Sequence, residues 1–588
     1  MCGIAGLIAG PGAPQPDAAR LAAIIAAMAH RGPDAGGQTI SGRVGIAQNR
    51  LAIIDLVTGD QPFFAGTAAL VANGEIYNYR ELRAAMPGVN FASVSDCEPP
   101  LHLYLRDGPD YAKVLRGMYA IAIHDRAARR VAVSRDRWGI KPLYYAQTQE
   151  GLAFASEAQA LIAAGLVGRG LRPAVRDELL QMQYTTGSDT IFPGISRLLP
   201  GETLQVADGK VVDRRRVIAL PEGGPDTIPE DEALRRLDRA LEESVDLHQR
   251  ADVPYGMFLS GGIDSATVLT LMARLNERPV LAFTAGFAAP GAADEREAAK
   301  RVATSLGARH ETLDVTEAMV WRHLPEIVAC MDDPAADYAI IPTWFLAQRA
   351  RQEVKVVLSG EGGDEIFAGY GRYRSAMRPW WLGGRVMRAR GNFDRVKVLR
   401  QNPRNWRDGQ AAAEARSATP GRTRLMAAQA TDIEDWLPHD LLLKLDRCLM
   451  AHAVEGRTPL LDQGVAEVVW RLPDALKVRG GMGKWLLRKW LEKNCPAANP
   501  FGPKQGFTVP MGTWISGVGE KLGRLVAAQE GIREVAEPAR VEALFRHCSG
   551  KRNSGYLAWV LLFYALWHRT HVLGLKPEGD VFEALATR

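Results

Sequence analysis

The sequence predicts two domains of different fold class. The N-terminal domain is predicted to be an α+β sheet sandwich, and the C-terminal domain an α/β fold with a doubly wound parallel sheet and a mostly helical final part. At 588 residues the chain is too long for a single hydrophobic core. The first two hundred residues carry many short β-type runs, whereas strand and helix patterns alternate after about residue 230.

The N-terminal part is predicted to contain one early helix followed by short strands. The helical pattern covers 18–29 and precedes the turn-like sequence RGPD at 31–34, and β-type runs follow at 44–47, 69–72, 118–124 and 130–134. Glycine and turn residues separate these runs, which is typical of a sandwich.

A Gly/Pro-rich passage marks the joint between the domains. It extends from Pro193-Gly194 through the sequence PEGGP at 221–225. We expect a first domain at 2–205, a linker at 206–230 and a second domain at 231–588.

The second domain begins with alternating elements. The predicted order is a helix at 230–248, a strand at 253–259, a helix at 265–275, a strand at 280–283, a helix near 294–305 and a strand at 354–358. Such alternation predicts a parallel sheet covered by helices. From about residue 375 the pattern is mostly helical and has no obvious repeat.

Composition excludes several classes of protein. The net charge of +5, from 72 basic and 67 acidic residues, is too small for this length to indicate nucleic acid or a membrane surface as partner. The longest apolar run, 556–567, is too short to cross a bilayer and predicts a buried helix. The six cysteines form no CxxC pair, which favours a reducing compartment, and we expect a cytoplasmic protein.

The sequence LSGGIDS at 259–265 joins a strand to a helix. Adjacent glycines let the backbone approach a bulky anion, and the helix N-terminus offers unpaired N–H groups. Ser260 and Ser265 add hydroxyl groups, while Asp264 is a candidate ligand for Mg²⁺ bound to phosphate. A plain strand-to-helix turn capped by Asp264 is the alternative. The complete string resembles the pyrophosphate loop of N-type ATP pyrophosphatases.

A second loop, SGEGGDE at 359–365, also follows an apolar strand. Loops at the carboxyl ends of strands in a doubly wound sheet meet at one crevice, so Asp264 and Asp364 are expected to share one Mg²⁺. Lys484 is a candidate cation for the departing pyrophosphate, although alone it reads as a surface lysine.

Cys2 is a candidate N-terminal nucleophile. If Met1 is removed, the α-amine of Cys2 lies a few bonds from its own thiol. With an ordinary pKa of about 7.7–8.0, this amine is partly neutral and able to act as the base. Chain termini also tolerate change, so a cysteine without a role is the alternative.

Other residues complete a site for a zwitterionic amino acid whose side-chain carbonyl is attacked by a thiol. Arg50 is a candidate clamp for a carboxylate, and Glu75 and Asp96 are candidates for binding an ammonium group. Asn73 and Gly74 offer the two donors of an oxyanion hole, although Asn-Gly is also a common hairpin turn. Glutamine fits these requirements.

The motifs carry a family resemblance over nearly the whole chain. The sequences CGIAG at 2–6, RGPD at 31–34, NGEIYNY at 73–79, SRDRWGIKPLYY at 134–145 and FASE at 154–157 resemble class II glutamine amidotransferases. Together with SGGIDS, SGEGGDE, KLDR at 444–447, EGRTPLLD at 455–462 and KWLLRK at 484–489, they resemble the glutamine-hydrolysing asparagine synthetases of the bacterial B type.

The resemblance implies roles for single residues. In that family an Ntn-type αββα domain hydrolyses glutamine through a thioester on the first cysteine, and ammonia passes through an internal tunnel to the synthetase domain. Carried over, Cys2 attacks, Asn73 and Gly74 stabilise the oxyanion, and Glu361 assists formation of the acyl-adenylate and its attack by ammonia. The implied glutamine-binding residues are Arg50, Ile53, Ile54, Asn73, Gly74, Glu75 and Asp96.

The resemblance also implies the residues that bind ATP and pyrophosphate: Leu259, Ser260, Gly261, Gly262, Asp264, Ser265, Ala285, Ser359, Gly360 and Lys484. The expected co-substrate is ATP and the expected metal is Mg²⁺ on Asp264 and Asp364.

The implied activity is ATP-dependent amidation of aspartate to asparagine through β-aspartyl-AMP, with AMP, pyrophosphate and glutamate as further products. The expected partners are the small molecules glutamine, aspartate and ATP, without nucleic acid or membrane, and a homodimer stays open. The alternative is the same two-domain amidotransferase acting on another carboxylate, such as a sugar, a peptide or a natural-product precursor. The segment from Asp332 to Thr343 lies where acceptor contacts are expected, but it does not name the acceptor.

The sequence departs from the family pattern at a few positions. Cys97 replaces a common threonine, and Gly456, Thr458 and Leu460 change the commoner EARVPFLD. We interpret the last three as repacking rather than as part of the acceptor pocket.

Overall fold

The computed structural model describes residues 2–287, 294–503, 509–548 and 554–587. Met1, whose removal the sequence analysis considers, lies outside them. Strands dominate up to residue 216: β1 (Gly3–Ala9), β2 (Ala35–Ser41), β3 (Val44–Arg50), β4 (Phe63–Ala65), β5 (Ala68–Ile76), β6 (Gly117–Asp125), β7 (Arg130–Arg135), β8 (Tyr144–Gln147), β9 (Gly151–Ala155), β10 (Ile195–Arg197), β11 (Glu202–Ala207) and β12 (Lys210–Arg216). The helices between them are α1 (Ala18–Ala26), α2 (Tyr79–Ala84), α3 (Pro99–Asp107), α4 (Ala158–Ala163) and α5 (Pro173–Met182).

These strands form an αββα sandwich, as expected. One antiparallel sheet has the order β10-β8-β9-β1-β3-β2 and the other β12-β11-β7-β6-β5-β4. Between the sheets lies an apolar core that includes Ile4, Ile46, Val71 and Phe154. Helices α1 and α4 cover the outer face of the first sheet, and α3 covers the second.

The boundary expected at residue 205 falls inside a strand pair. Strand β11 continues to Ala207 and β12 adds to the same sheet as far as Arg216. The linker was predicted from the Gly/Pro-rich passage at 193–225, whereas the mostly exposed and charged strand β12 lies within that passage.

The C-terminal domain is built on a parallel sheet. Its strands are β13 (Tyr255–Phe258), β14 (Leu281–Phe287), β15 (Arg309–Val315), β16 (Val356–Leu358) and β17 (Glu455–Arg457), followed by the small hairpin of β18 (Val478–Arg479) and β19 (Met482–Gly483). The order β15-β14-β13-β16-β17 is doubly wound, and the winding direction changes between β13 and β16. A ligand crevice is expected at that point.

Helices surround this sheet and form the rest of the domain: α6 (Glu230–His248), α7 (Ile263–Leu275), α8 (Arg296–Ser305), α9 (Glu317–Ala329), α10 (Ile340–Ala350), α11 (Gly363–Ile366), α12 (Gly371–Met377), α13 (Asp408–Ser417), α14 (Arg424–Thr431), α15 (Leu442–Met450), α16 (Gln463–Trp470), α17 (Asp474–Lys477), α18 (Trp485–Asn494), α19 (Met511–Gly517), α20 (Gly519–Ala528), α21 (Glu530–Val535), α22 (Pro538–Arg546), α23 (Ser554–His571) and α24 (Val581–Ala586). A π-helical segment, Asp432–Leu441, leads directly into α15. The apolar run at 556–567 lies in α23 and is buried. Within the described residues, no helix combines the length and hydropathy needed to cross a bilayer.

Charged pairs join the two domains. Arg31 contacts Asp446 at 2.9 Å and Arg197 contacts Asp333 at 2.5 Å, with all four side chains buried. Arg116, which is partly buried, contacts Asp462 at 2.7 Å. Buried charges are tolerated when they are paired, so these contacts fix how the domains meet.

Candidate functional site

Cys2 lies immediately before β1 and is buried. Its main-chain N–H donates to Asn73 Oδ1 at 3.0 Å, which ties the start of β1 to β5. The neighbouring Gly3 N–H donates to Asn49 Oδ1 at 2.5 Å. Two side-chain amides therefore hold the backbone on which the candidate nucleophile sits.

Asn73 has the features expected of an oxyanion-hole residue. Its side-chain oxygen is occupied by Cys2, whereas its buried Nδ2 has no hydrogen-bond partner among the described residues. Buried donors are normally paired. The same amide that binds the Cys2 N–H thus has an unpaired donor, which is able to bind an oxygen of the substrate.

The surroundings of the Cys2 thiol shift its pKa upward. Burial raises its pKa above the ordinary value, and a backbone hydrogen bond with Leu51 and the charge of Arg50 oppose this shift only in part. Attack therefore needs a base close to the sulfur.

Arg50 lies at the end of β3 with its guanidinium buried. It donates to Asp60 Oδ1 at 2.7 Å and to the carbonyl of Ile54 at 3.2 Å, and it also contacts the carbonyl of Asp55. The Asp60 carboxylate is mostly exposed, so a substrate carboxylate is able to compete for this cation. The carbonyl of Ile53 faces the other domain, where it accepts from Asp252 N–H at 2.9 Å.

Glu75 and Asp96 are buried together beside Cys97. Asp96 Oδ2 accepts from Ile76 N–H at 2.7 Å, and the Cys97 thiol lies 3.5 Å from the same oxygen. Burial raises the pKa of Asp96 to about 6. Burial, Glu455 and Asp96 raise the pKa of Glu75 well above its ordinary value.

The sequence analysis missed two charged residues of this site, Glu455 and Arg457 of β17. Arg457 Nη2 lies 3.2 Å from Glu75 Oε2, and its Nε donates to Glu455 Oε1 at 2.6 Å. Both belong to the EGRTPLLD motif, but no local pattern in the sequence shows that this three-residue strand is buried beside Glu75.

The second cluster of predicted residues lines a cavity of about 720 Å³ at the carboxyl ends of β13, β14 and β16. The structure brings together there the residues expected to bind ATP, pyrophosphate, metal or the adenylate: Leu259, Ser260, Gly261, Gly262, Asp264, Ser265, Ala285, Ser359, Gly360, Glu361, Asp364 and Lys484. Ala285 lies within β14, which is four residues longer at its end than predicted.

The two glycine-rich loops touch each other. A side chain at Gly360 would place its Cβ 2.7 Å from Ser265 N and 2.9 Å from Asp264 Cβ. Ser260, in the loop, and Ser265, in the first turn of α7, share a hydrogen bond of 2.9 Å between their hydroxyl groups. The α7 N-terminus therefore opens into the cavity beside the second loop, as an anion site requires.

Asp264, Asp364 and Lys484 converge in this cavity. Lys484 Nζ lies 2.7 Å from Asp364 Oδ1 and contacts Asp264 Oδ2. Burial lowers the pKa of Lys484, but the two carboxylates outweigh it and the net shift is upward. Lys484 adopts a φ of 59°, so its backbone is held in a conformation that is uncommon outside glycine.

The two carboxylates fit a Mg²⁺ that is completed by phosphate oxygens. Mg²⁺ is usually held by one or two carboxylates and by substrate phosphates rather than by a protein cage. The described part of the chain has no cluster of three or more His, Cys, Asp or Glu side chains able to hold a metal.

Lys444 of α15 closes another side of the cavity. Its buried Nζ lies 3.5 Å from Glu361 Oε1 and 3.3 Å from Asp337 Oδ2. Tyr338 and Thr343 line the cavity nearby. Both belong to the segment in which acceptor contacts are expected, and that role stays a prediction.

The start of that segment lies elsewhere. Asp332 Oδ2 accepts from the Gln159 N–H of the first domain at 3.2 Å, and Asp333 binds Arg197, so both carboxylates serve the domain interface. Similarly, a Cβ at Gly456 would lie 2.9 Å from Leu449 Cδ2 and 3.1 Å from Leu445 Cγ. Gly456, Thr458 and Leu460 are absent from the cavity lining within the described residues, which favours the repacking interpretation.

Comparisons with known proteins agree with both halves of this picture. The asparagine synthase family model matches residues 236–569, and the glutamine amidotransferase domain model matches residues 1–216. A relative from Mycobacterium bovis with a provisional asparagine synthetase name is 34% identical over 97% of both chains. Asparagine synthetase 1 of Bacillus subtilis is 30% identical over 93% of this chain and 92% of its own length. Asparagine synthetase B of Escherichia coli is 28% identical over 87% and 82%.

Proposed function

The chain belongs to the asparagine synthase family, and on that premise we propose that it transfers the amide nitrogen of L-glutamine to the side-chain carboxylate of L-aspartate, using ATP. The products are L-asparagine, L-glutamate, AMP and pyrophosphate. The observation that carries the proposal is the meeting of Asp264, Asp364 and Lys484 in a cavity on the same chain as the Cys2–Asn73 pair.

The first half-reaction is hydrolysis of glutamine at Cys2. The sulfur attacks the amide carbon while its proton passes to the α-amine of Cys2, which is free once Met1 is removed. Asn73 Nδ2 and the Gly74 N–H donate to the oxyanion. The carbon–nitrogen bond then breaks, the α-amine returns the proton to the departing nitrogen, and water hydrolyses the thioester to glutamate.

Substrate binding in this half uses opposite charges. Arg50, with Ile53 and Ile54 beside it, takes the α-carboxylate of glutamine, and Asp96 takes the ammonium group together with Glu75. The contact of Glu75 with Arg457 supports a shared role, because the arginine keeps part of this carboxylate's charge balanced in the absence of substrate.

The second half-reaction takes place in the 720 Å³ cavity. An aspartate carboxylate oxygen attacks the α-phosphorus, pyrophosphate leaves, and β-aspartyl-AMP forms. Ser260, Gly261, Gly262 and Ser265 bind pyrophosphate, and Leu259, Ala285, Ser359 and Gly360 surround the adenosine. When bound to Asp264 and Asp364, Mg²⁺ supplies charge neutralisation for the phosphates.

Ammonia then attacks the activated carboxyl carbon. Its nitrogen gives up a proton to Glu361, and AMP leaves as the new carbon–nitrogen bond is completed. Lys444 Nζ lies 3.5 Å from Glu361 Oε1, beside the carboxylate that accepts this proton. Because ammonia is largely protonated in water, its transfer from Cys2 must avoid solvent.

The test is an assay with Mg-ATP, aspartate and glutamine labelled with ¹⁵N at the amide. We expect labelled asparagine, glutamate, AMP and pyrophosphate in equal amounts. The Cys2→Ala variant should make asparagine only from ammonium, whereas Cys548→Ala, which removes a buried cysteine outside the quoted motifs and outside the cavity lining, should behave as the unchanged protein. Glutamate without asparagine would reject aspartate as acceptor and direct the search to other carboxylates.

A further inference from the structure

A carboxylate of the synthetase domain, Asp446, binds an arginine of the glutaminase domain that contacts Cys2. Asp446 of α15 accepts from both terminal nitrogens of Arg31, at 2.9 Å and 3.1 Å. Arg31 is fully buried and Asp446 is 3% exposed. This is a two-point, charge-assisted contact, the geometry that orients a guanidinium most firmly.

Arg31 in turn binds the main chain of Cys2. Its third nitrogen, Nε, donates to the Cys2 carbonyl at 3.1 Å. The Cys2 N–H is already bound to Asn73 at 3.0 Å. Both main-chain polar groups of Cys2 are therefore held. The N–H is bound by Asn73, and the carbonyl is bound by Arg31, which is itself held by Asp446 of the other domain.

Asp446 dominates the orientation of Arg31. The other carboxylate on this guanidinium, Glu157, makes a single hydrogen bond of 2.9 Å and also serves His30 at 3.0 Å. Without Asp446 the buried guanidinium would lose two of its hydrogen bonds, and it would turn toward Glu157 to recover pairing. Such a turn would draw Nε away from the Cys2 carbonyl.

We propose that Asp446, a residue of the synthetase domain, is a positioning residue for glutamine hydrolysis that acts through Arg31 on the Cys2 main chain. The proposal rests on the proposed role of Cys2 as nucleophile. It makes the glutaminase site incomplete without α15, the same helix that places Lys444 in the ATP cavity two residues earlier.

The test compares Asp446→Asn with Asp333→Asn. Asp333 is the matched control because it also pairs a buried carboxylate of the second domain with a buried arginine of the first, but it does not reach Cys2. We expect Asp446→Asn to lower the kcat of glutamine hydrolysis about tenfold or more, since small misplacements of a reacting group have large effects. The KM for glutamine and the ammonia-dependent amidation should stay within about twofold, because the substrate contacts and the ATP cavity are left intact.

Alkylation of Cys2 by iodoacetamide, followed by peptide mass spectrometry, gives a second readout. Asp446→Asn should change the rate of Cys2 alkylation, and Asp333→Asn should not. Asp446→Glu should restore part of the lost kcat. Equal effects of the two asparagine variants on kcat and alkylation would overturn the proposal and leave a structural role only.

A double variant guards against misfolding. Arg31→Met with Asp446→Leu removes both buried charges together, which buried pairs often tolerate. We expect this variant to keep ammonia-dependent amidation and to lose glutamine hydrolysis, and retained hydrolysis would overturn the proposal. Hydrolysis of glutamine by Cys2→Ala would reject the role of Cys2. If Cys2→Ala is inactive with glutamine but Asp446→Asn hydrolyses it at the normal rate, only the proposal for Asp446 fails.

Discussion

Arg457 Nη2 of the synthetase domain lies 3.2 Å from Glu75 Oε2 of the glutaminase domain. The main-chain carbonyl of the same arginine accepts from Ser359 N–H, at the start of the second ATP loop, at 2.9 Å. One residue thus contacts both candidate active sites. Strand β17 carries this arginine, which is fully buried.

Replacing Arg457 with methionine should destabilise the protein strongly. Glu75 and Glu455 would keep buried carboxylates without their cation, and breaking buried pairs in this way typically costs about 3–5 kcal/mol. The free energy of unfolding, measured with urea, checks this. Arg216→Met is the control, because its more exposed pair with Glu434 should contribute less than about 1 kcal/mol. Similar losses in both variants would contradict the prediction.

Glutamine binding should weaken below pH 6. Burial raises the pKa of Asp96 from 3.8 to about 6, so the carboxylate that binds the ammonium group becomes protonated as the pH falls through this value. The glutamine KM should rise from pH 7 to pH 5, and in Asp96→Asn it should be high and nearly constant. The ammonia-dependent reaction should lack this dependence, since it does not use the glutamine site.

The raised pKa of Asp96 affects glutamine binding and protein stability in opposite directions: as the pH rises, binding should strengthen and the contribution of Asp96 to stability should fall. A carboxyl group with a raised pKa binds its proton more tightly in the folded chain, so its contribution to the free energy of unfolding falls as pH rises from 3.8 to about 6. Asp96→Asn should remove this fall, which urea titrations at pH 4 and pH 7 would detect. A loss of the same size in the variant would contradict the assignment.

Lys484→Met should abolish amidation while sparing glutamine hydrolysis. The variant removes the cation between Asp264 and Asp364, and loss of a preformed electrostatic contact to developing charge usually lowers kcat about 10²–10³-fold. Pyrophosphate release reports the synthetase reaction and glutamate reports hydrolysis. Lys489→Met on the same helix is the control, because that lysine pairs with Glu492 at the surface. A fall in both activities would mean that Lys484 acts on the whole fold.

Gly456→Ala should alter packing rather than acceptor choice. The new Cβ would lie 2.9 Å from Leu449 Cδ2 and 3.1 Å from Leu445 Cγ, and such overpacking typically costs about 1–3 kcal/mol. Leu449→Ala in the same chain should recover part of the loss. The rates with aspartate and with other carboxylates should keep their ratio, and a changed ratio would place Gly456 in acceptor recognition.

Local patterns explain what the sequence predicted well. Ser260, Gly262 and Gly360 follow apolar strands, and the winding of a parallel sheet brings such loops to one crevice whatever lies between them. Helix α6 was predicted with the observed ends because its apolar spacing is regular and its acidic first turn is marked. The parallel-sheet class was confirmed for the same reason, and the αββα class, which the family resemblance implied, was confirmed as well.

Contacts between distant segments explain what was missed. Strand β17 has three residues, two of them charged, and no alternation to reveal it. Strand β15 is mostly polar at the sheet edge and was likewise not predicted. Arg457 meets Glu75 of the other domain, and Lys444 meets Glu361 of another element, so no local spacing indicated which carboxylates they would contact.

The buried ion pairs across the interface also limit which domains of related proteins are able to be combined in one chain. A chimaera that joins this glutaminase half to the synthetase half of a relative would set Arg31 and Arg197 against carboxylates that its new neighbour has to supply. Each buried arginine therefore needs its partner carboxylate in the same protein. Successful recombination between relatives should preserve both members of a pair or replace both. The charges at the interface therefore determine which halves are able to combine.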